Sequence, residues 1–347
     1  MRPTSGSTYE PHPALRLFTR LTCYATLLLI LAGGMVTSMN VGLAVPDWPG
    51  SYGHFMWALP FSMWKGGVLY EHSHRVIASG VGCLMILLTV WILRVDPRPW
   101  VRRLAGLALL TVIIQGLLGG MTVKFMLPTA ISVAHGMLAQ IFFLLTIALA
   151  YSQSVERAMR ARQPVGSSPT VRAATILLLV LTFAQLAVGA VMRHSMKHHG
   201  GVAVPDFPTI AGRWIPSFNA EVVAQLNAQR LELAWEGEDL EPEIGRPDVV
   251  IHVVHRAGAL VLLAATAVLS LIVLRQDSTP GLLRRTVYML DGLLAIQIML
   301  GVFTVLTQKG DLVASLHVVT GAAFFGMTLL LLLRSSPVGI ADSGLPS

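Results

Sequence analysis

Charge is scarce in this sequence and cysteine almost absent. Asp, Glu, Lys and Arg make up only 12% of 347 residues, against 54% hydrophobic, which lies far outside the balance of a water-soluble globular domain. The only cysteines, Cys23 and Cys83, both fall inside apolar runs. With no cysteine pair in any loop, neither a disulfide framework nor a thiolate metal site is available. No small-residue cleavage motif follows the first apolar run, which is already of span length, so a cleaved signal peptide is not expected. A net charge of +7 is not a nucleic-acid footprint here, because the basic residues track the ends of the apolar runs.

What the chain has is apolar length. A bilayer core needs about 20 apolar residues per helix, and eight stretches qualify: 16–39, 74–94, 103–123, 128–151, 171–193, 250–274, 284–306 and 312–334. Only structures that satisfy their own backbone groups cross lipid, so the predicted fold class is an all-α integral membrane protein with eight transmembrane helices. Arg94, Arg98, Arg102 and Arg103 lie between spans two and three; Arg157, Arg160, Arg162 and Arg172 between four and five; Arg275, Arg284 and Arg285 between six and seven. The positive-inside rule places these loops and both termini in the cytoplasm. The opposite loops, including the acidic 194–249, then face outward.

The chain repeats itself. Gly42-Leu43-Ala44-Val45-Pro46-Asp47-Trp48-Pro49 returns as Gly201-Val202-Ala203-Val204-Pro205-Asp206-Phe207-Pro208. Gln115 with Gly119 and Thr122 returns as Gln297 with Gly301 and Thr304. These echoes predict a tandem duplication of a four-helix unit, residues 16–162 and 171–334, joined by a Pro/Ser/Gly linker at 163–170 and flanked by cytoplasmic tails 1–15 and 335–347. An even number of spans per unit makes the two bundles parallel. The second outer loop is longer, and its amphiphilic stretch from Phe218 to Trp235 is expected to be a helix on the outer surface.

Four histidines occupy matched places: His74 and His255, each followed by an arginine where a polar loop gives way to a span, and His135 and His317 inside later spans. Within one unit, both spans run from outside to inside, so each pair can face across the outer part of one bundle. Opposed histidines on facing helices are what axial ligation of a haem iron requires. A lone histidine in a span more often serves a helix–helix hydrogen bond or a proton relay; two matched pairs favour haem. Zinc fits poorly, because no clear third ligand accompanies each pair. His12 lies in the tail, and His54, His194, His198 and His199 in outer loops are weaker candidates for a substrate or metal role.

Glu71 precedes His74 by three residues, on the same face if the helix reaches that far. The equivalent residue in the second half is His252, so the duplicate sites differ in chemistry beside the ligand. Either Glu71 is an ordinary acid at a helix N-terminus, or one pocket is catalytic and the other supporting. Arg75 and Arg256 suit carboxylates such as haem propionates, or anchoring at the headgroup level. Gln115, Gln185 and Gln297 suit interhelical hydrogen bonds or contact with a cofactor. Asp47 and Asp206 are expected to cap turns.

Taken together, the eight spans, the duplication, Gly42 to Pro49, Glu71-x-x-His74-Arg75 and His135, His255 and His317 resemble the haem A synthase family over nearly the whole chain. The resemblance implies oxidation of the C8 methyl of haem O, through an alcohol and a hydrated aldehyde, to the formyl group of haem A used by terminal oxidases. It implies a substrate haem between His74 and His135, a permanent haem b between His255 and His317, and a catalytic Glu71 that accepts protons or stabilises positive charge. It also implies haem O synthase, terminal oxidase assembly factors and an electron donor as partners, a lipid environment in the inner (cytoplasmic) membrane with haem sites toward its outer face, and a homo-oligomer. One branch of that family carries an outer-loop cysteine pair; here those positions read Val45-Pro46 and Val204-Pro205, so no redox role for thiols transfers. Residues 209–249 match nothing in the family pattern.

Two other classes use similar parts. A di-haem cytochrome for quinol-linked electron transfer would need the same four histidines but gives no reason for the contrast of Glu71 with His252. A haem transporter or assembly factor would show broken helices near the midplane, whereas the polar residues here cluster toward the outer face.

Overall fold

The computed structural model describes residues 10, 12–162, 168–196, 201–215, 217–233, 243–276 and 280–337. Among them are ten α-helices: α1 (Pro13–Ser38), α2 (Gly67–Val95), α3 (Pro99–Lys124), α4 (Thr129–Ser152), α5 (Val155–Arg162), α6 (Pro169–Ser195), α7 (Ala220–Leu233), α8 (Arg246–Leu274), α9 (Gly281–Leu306) and α10 (Asp311–Ser335). All except α5 and α7 are long and apolar enough to cross a membrane, which gives eight spans. Proline occupies the first turn of α1, α3, α6 and α8, where its missing N–H costs nothing.

All the spans but α4 start earlier than hydropathy suggests, and in α2 the extension carries the site residue Glu71. α2 begins at Gly67 rather than 74, and α8 at Arg246 rather than 250. Tyr70 to Ser73 are too polar to score as membrane, yet Glu71 and His72 are buried because the preceding loop supplies their partners. His74 therefore stands about two turns inside its helix, not at its mouth. The connection after α4, expected as loop, carries α5, and its Glu156 pairs with Arg334 of α10 at 2.8 Å.

Helices α1 to α4 contact one another in a closed ring, and α6, α8, α9 and α10 close a second. The seam between them is α1 and α4 against α10, with α4 against α6. Each ring has its own apolar core, one including Met85, Leu88, Ile92 and Phe142, the other including Leu178, Leu269, Leu290 and Phe324. At the seam, Ile30, Phe143 and Ala322 form a smaller cluster. Gly326 of α10 faces Phe143 and Ile147 of α4 without a Cβ between them, the close approach that small residues allow between membrane helices.

A fourth cluster lies at the end of the second ring. Ala203, Val204 and Ile210 of the long loop pack with Val222 and Leu226 of α7 and Val249 of α8. α7 falls within the stretch expected to be helical, Phe218 to Trp235, and is latched by Asn227, which donates to the Ile244 carbonyl at 3.2 Å and accepts from the Ile244 N–H at 3.1 Å. His198, His199, residues 163–167 of the linker, residues 234–242 with their acidic run, and most of both tails lie outside the described residues.

Candidate functional site

At one end of each ring a loop folds back over the helices, and both loops are held in the same way. The Val45 N–H donates to Glu71 Oε2 at 2.7 Å, and the Val204 N–H donates to His252 Nδ1 at 3.0 Å. Arg75 donates to the carbonyls of Val45, Asp47 and Gly50 at 2.7, 2.6 and 3.1 Å. Arg256 donates to those of Val204, Asp206 and Thr209 at 2.8, 2.8 and 3.1 Å. Among the described residues the first half alone adds an ion pair at this place: Arg75 donates to Glu71 Oε1 at 2.5 Å, with both side chains buried. The two arginines, weighed as partners of a cofactor's carboxylates or as anchors at the headgroup level, donate to the chain's own carbonyls, because a buried guanidinium takes the acceptors that converge on it.

The aspartates cap turns, as expected. Asp47 accepts from the N–H groups of Tyr52 and Gly53 at 2.7 and 2.9 Å; Asp206 accepts from those of Ala211 and Gly212, both at 3.1 Å, and from the Thr209 hydroxyl at 2.7 Å. Burial raises the affinity of each carboxyl for its proton, but these donors outweigh it and hold both below the usual carboxylate range. Arg75 adds to the effect at Asp47. Trp48–Pro49 and Phe207–Pro208 are both cis.

Beneath the loops lie the four histidines, one on each of α2, α4, α8 and α10. Each imidazole rests on a glycine of the adjacent helix. A Cβ on Gly33 of α1 would meet His74 Cε1 at 3.0 Å, and one on Gly119 of α3 would meet His135 Cε1 at 3.2 Å. On Gly189 of α6 it would meet His255 Cε1 at 2.9 Å, and on Gly301 of α9 it would meet His317 Cε1 at 3.0 Å. Glutamines bridge the helices beside three of the rings. Gln115 donates to the His135 carbonyl at 2.9 Å and Gln185 to that of His255 at 2.8 Å, while the Gln297 amide lies 3.3 Å from His317 Nε2. The interhelical role weighed for these glutamines is therefore present, and Gly258 and Gly321 leave the room for Gln185 and Gln297.

The donor set fits a planar iron chelate held from both sides. His255 and His317 face each other with ring centroids 6.3 Å apart. Two imidazoles sharing one metal through bonds of about 2 Å have centroids roughly 6 Å apart. His317 Nδ1 lies 3.1 Å from the Gln297 carbonyl; a carbonyl only accepts, so the proton sits on Nδ1, and the Nε2 lone pair, which the Gln297 amide approaches at 3.3 Å, is the one a metal would take in that amide's place. In the first half, Nδ1 of His74 and of His135 are buried with no partner among the described residues. No cluster of three or more His, Cys, Asp or Glu that could hold a bare metal ion occurs among the described residues.

Three polar features escaped the sequence reading. His72, wholly buried, places Nδ1 3.0 Å from Ser51 Oγ and its ring edge-on to Trp64 at 4.6 Å. Asp291 of α9 accepts from the Ser270 hydroxyl at 2.7 Å between two membrane-length helices. Arg193, near the end of α6, reaches across to α1, where it donates to the Gly34 carbonyl and Ser38 Oγ, both at 2.7 Å. Only comparison of the halves offers a signal for any of them: the repeat places Val253, Leu109 and Thr37 at the matching positions.

An all-helical membrane protein with eight membrane-length helices in two rings, each ring carrying one histidine pair, is the class that fold and site define. Within that class the chain belongs to the COX15-CtaA family of cytochrome oxidase assembly proteins, whose pattern matches residues 16–329. Among its relatives, a protein of Shewanella oneidensis named heme A synthase is 26% identical over 332 residues, covering 90% of this chain and 93% of that one. Proteins of the same name from Shouchella clausii and Symbiobacterium thermophilum are 27% and 30% identical, over 61% and 64% of this chain and 69% and 71% of theirs.

Proposed function

We propose that this protein makes haem A, oxidising the C8 methyl of haem O to a formyl group, with the substrate haem between His74 and His135 and haem b between His255 and His317. The conversion is a four-electron oxidation of one carbon that balances either as R–CH3 + O2 → R–CHO + H2O or as R–CH3 + H2O → R–CHO + 4 H+ + 4 e−, so the oxidant, dioxygen or an external electron acceptor, comes from outside the protein. Family membership supports haem A synthesis. The observation that carries the assignment of roles is the single exchange at otherwise matched sites: a carboxylate, Glu71, accepts the loop N–H in one half, and an imidazole, His252, in the other.

Glu71 lies one turn from His74 on the same helix face. Its carboxylate is fixed by Val45 and Arg75, so it is oriented before substrate arrives and can take a proton leaving the methyl carbon or stabilise positive charge there. His74 and His135 orient the porphyrin between α2 and α4, and the loop from Val45 to Gly50 screens this end of the ring from water. Haem b, when bound, supplies one-electron transfer.

In the membrane the two rings are parallel four-helix bundles, with both termini cytoplasmic and the haem sites toward the outer face of the inner membrane. The arginine-rich connections support that orientation. Haem O synthase, an electron donor and terminal oxidase assembly factors are its partners, in a homo-oligomer. The test is to purify the protein from cells that also make haem O and chromatograph the extracted haems. Haem A or its alcohol precursor in wild type, lost in Glu71→Ala with haem b retained, supports the proposal; haem b alone in the wild type defeats the synthase assignment.

A further inference from the structure

Arg193 is a cation with no carboxylate in contact among the described residues, the acid acting on it from a distance being Asp311 at the start of α10. The arginine stands one turn beyond Gly189, the glycine that backs His255, and on the same face of α6. Its guanidinium spends one nitrogen on α1, donating to Gly34 and Ser38. Ser38 in turn accepts from Ser315 Oγ at 2.9 Å, and Ser315 lies two residues before His317 on α10. Arg193 Nε is buried with no partner, and no carboxylate lies within ion-pair distance of Arg193 among the described residues.

A basic residue in the last turn of a helix is favoured by the dipole, and one near a span end ordinarily extends its head to the interface. Arg193 does the opposite, folding inward onto the seam between the two rings. A partly buried charge left uncompensated in a membrane helix is costly and implies a counter-ion. In the first half the matching position is Thr37, whose hydroxyl simply donates to the Gly33 carbonyl at 3.1 Å.

We propose that Arg193 binds a carboxylate of the tetrapyrrole held between His255 and His317, making the second site retentive where the first, with Thr37, releases its ligand. The inference rests on the haem reading above and concerns ligand retention, not the reaction. Arg75 and Arg256 have both terminal nitrogens committed to loop carbonyls, and Arg256 keeps only a buried Nε without a partner among the described residues, whereas Arg193 has a single nitrogen engaged. A guanidinium grips a carboxylate with two donors, whereas an ammonium offers only a point charge.

The test uses the full-length protein with His74→Ala and His135→Ala, so that only the second site holds haem b. Haem transfer to apomyoglobin and the haem midpoint potential are measured for this parent, for Arg193→Gln and for Arg193→Lys. Arg193→Gln should speed haem loss by about tenfold or more and lower the potential, because the cation that favours the ferrous form is gone. Arg193→Lys should keep the potential near that of the parent yet still lose haem faster. Unchanged potential and loss rate in Arg193→Gln, with an unchanged melting temperature, would overturn the proposal. So would an effect seen only in the reciprocal His255→Ala background, which would give the carboxylate to the first site. A parent that binds no haem at all would instead remove the haem reading on which the inference rests.

Discussion

Glu71 and His252 perform the same structural task in the two halves, each accepting the backbone N–H of the valine that precedes Pro-Asp-aromatic-Pro. The duplicated scaffold needs an acceptor there, and either residue type serves. Loop anchoring therefore does not explain why one half has a carboxylate. What the carboxylate adds is a negative charge one turn from His74, fixed by the 2.5 Å ion pair with Arg75.

That equivalence makes Glu71→His the informative substitution. It installs the second half's own solution, so the loop stays anchored and the fold survives. Haem A formation should nevertheless fall about 100-fold or more, the scale of a lost general acid–base group, as it should in Glu71→Gln. Haem content and melting temperature check that the site persists, and chromatography of extracted haems gives the activity. Full activity in Glu71→His would leave the glutamate as a loop anchor and nothing more.

Arg75 and Arg256 should differ in what their loss costs. Arg75→Ala strands a buried carboxylate and three carbonyls, and breaking such a pair costs about 3–5 kcal/mol. Arg256→Ala strands three carbonyls but no charge, since His252 takes the place of the glutamate. Thermal unfolding in detergent should therefore show Arg75→Ala the less stable of the two, and Arg75→Ala with Glu71→Gln should recover part of the loss. Equal destabilisation by both arginine variants would mean that the ion pair contributes nothing beyond the loop contacts.

The membrane spans were legible in the sequence, and its repeated motifs single out the candidate residues because they turn single residues into pairs. The eight spans, the four histidines and the Pro-Asp turns follow from apolar length and repetition. What stayed hidden depended on contacts far apart in the chain. Hydropathy started α2 seven residues late, since Glu71 and His72 become tolerable only when Val45 and Ser51 fold back onto them. The part Arg75 plays in the loop was hidden too, because nothing in the sequence says that three carbonyls of one loop converge on it. The repeat contained the Arg193 signal, as an arginine opposite Thr37, but its inward turn toward α1 is a property of the seam.

The outer loops should have an acid limit that can be located by its sign. Asp47 and Asp206 have folded-state pKa values below those of an unfolded chain. Their stabilisation is therefore complete above the unfolded carboxyl value of about 3.9 and is lost as pH falls through the lower folded values. Hydrogen exchange across residues 44–54 should accordingly stay slow and flat from neutral pH down to about 4 once corrected for intrinsic rates, then rise. Asp47→Asn should raise exchange above the acid step, bring the loop level with acidified wild type, and so remove the step there while leaving residues 203–213 unchanged. Loosening that begins near pH 6 would point to a histidine, not to these aspartates.

The four glycines behind the imidazoles allow the cradle to be tested within single helices. On α9, a Cβ at Gly301 would stand 3.0 Å from His317 Cε1, whereas one at Gly292 would meet nothing within 4 Å. Gly292→Ala should therefore leave haem content and spectrum unchanged. Gly301→Ala should force the imidazole to yield by a few tenths of an ångström, displacing the Soret and α bands with haem retained, and Gly301→Leu should evict haem b from the second site. On α3 the same contrast holds between Gly116, with open space, and Gly119, where a Cβ would lie 3.2 Å from His135 Cε1. Gly119→Leu should abolish haem A formation while leaving haem b in place, which separates the two sites without touching a ligand. Gly301→Leu with a full complement of haem b and an unshifted spectrum would show that His317 does not hold the iron in the position its cradle defines.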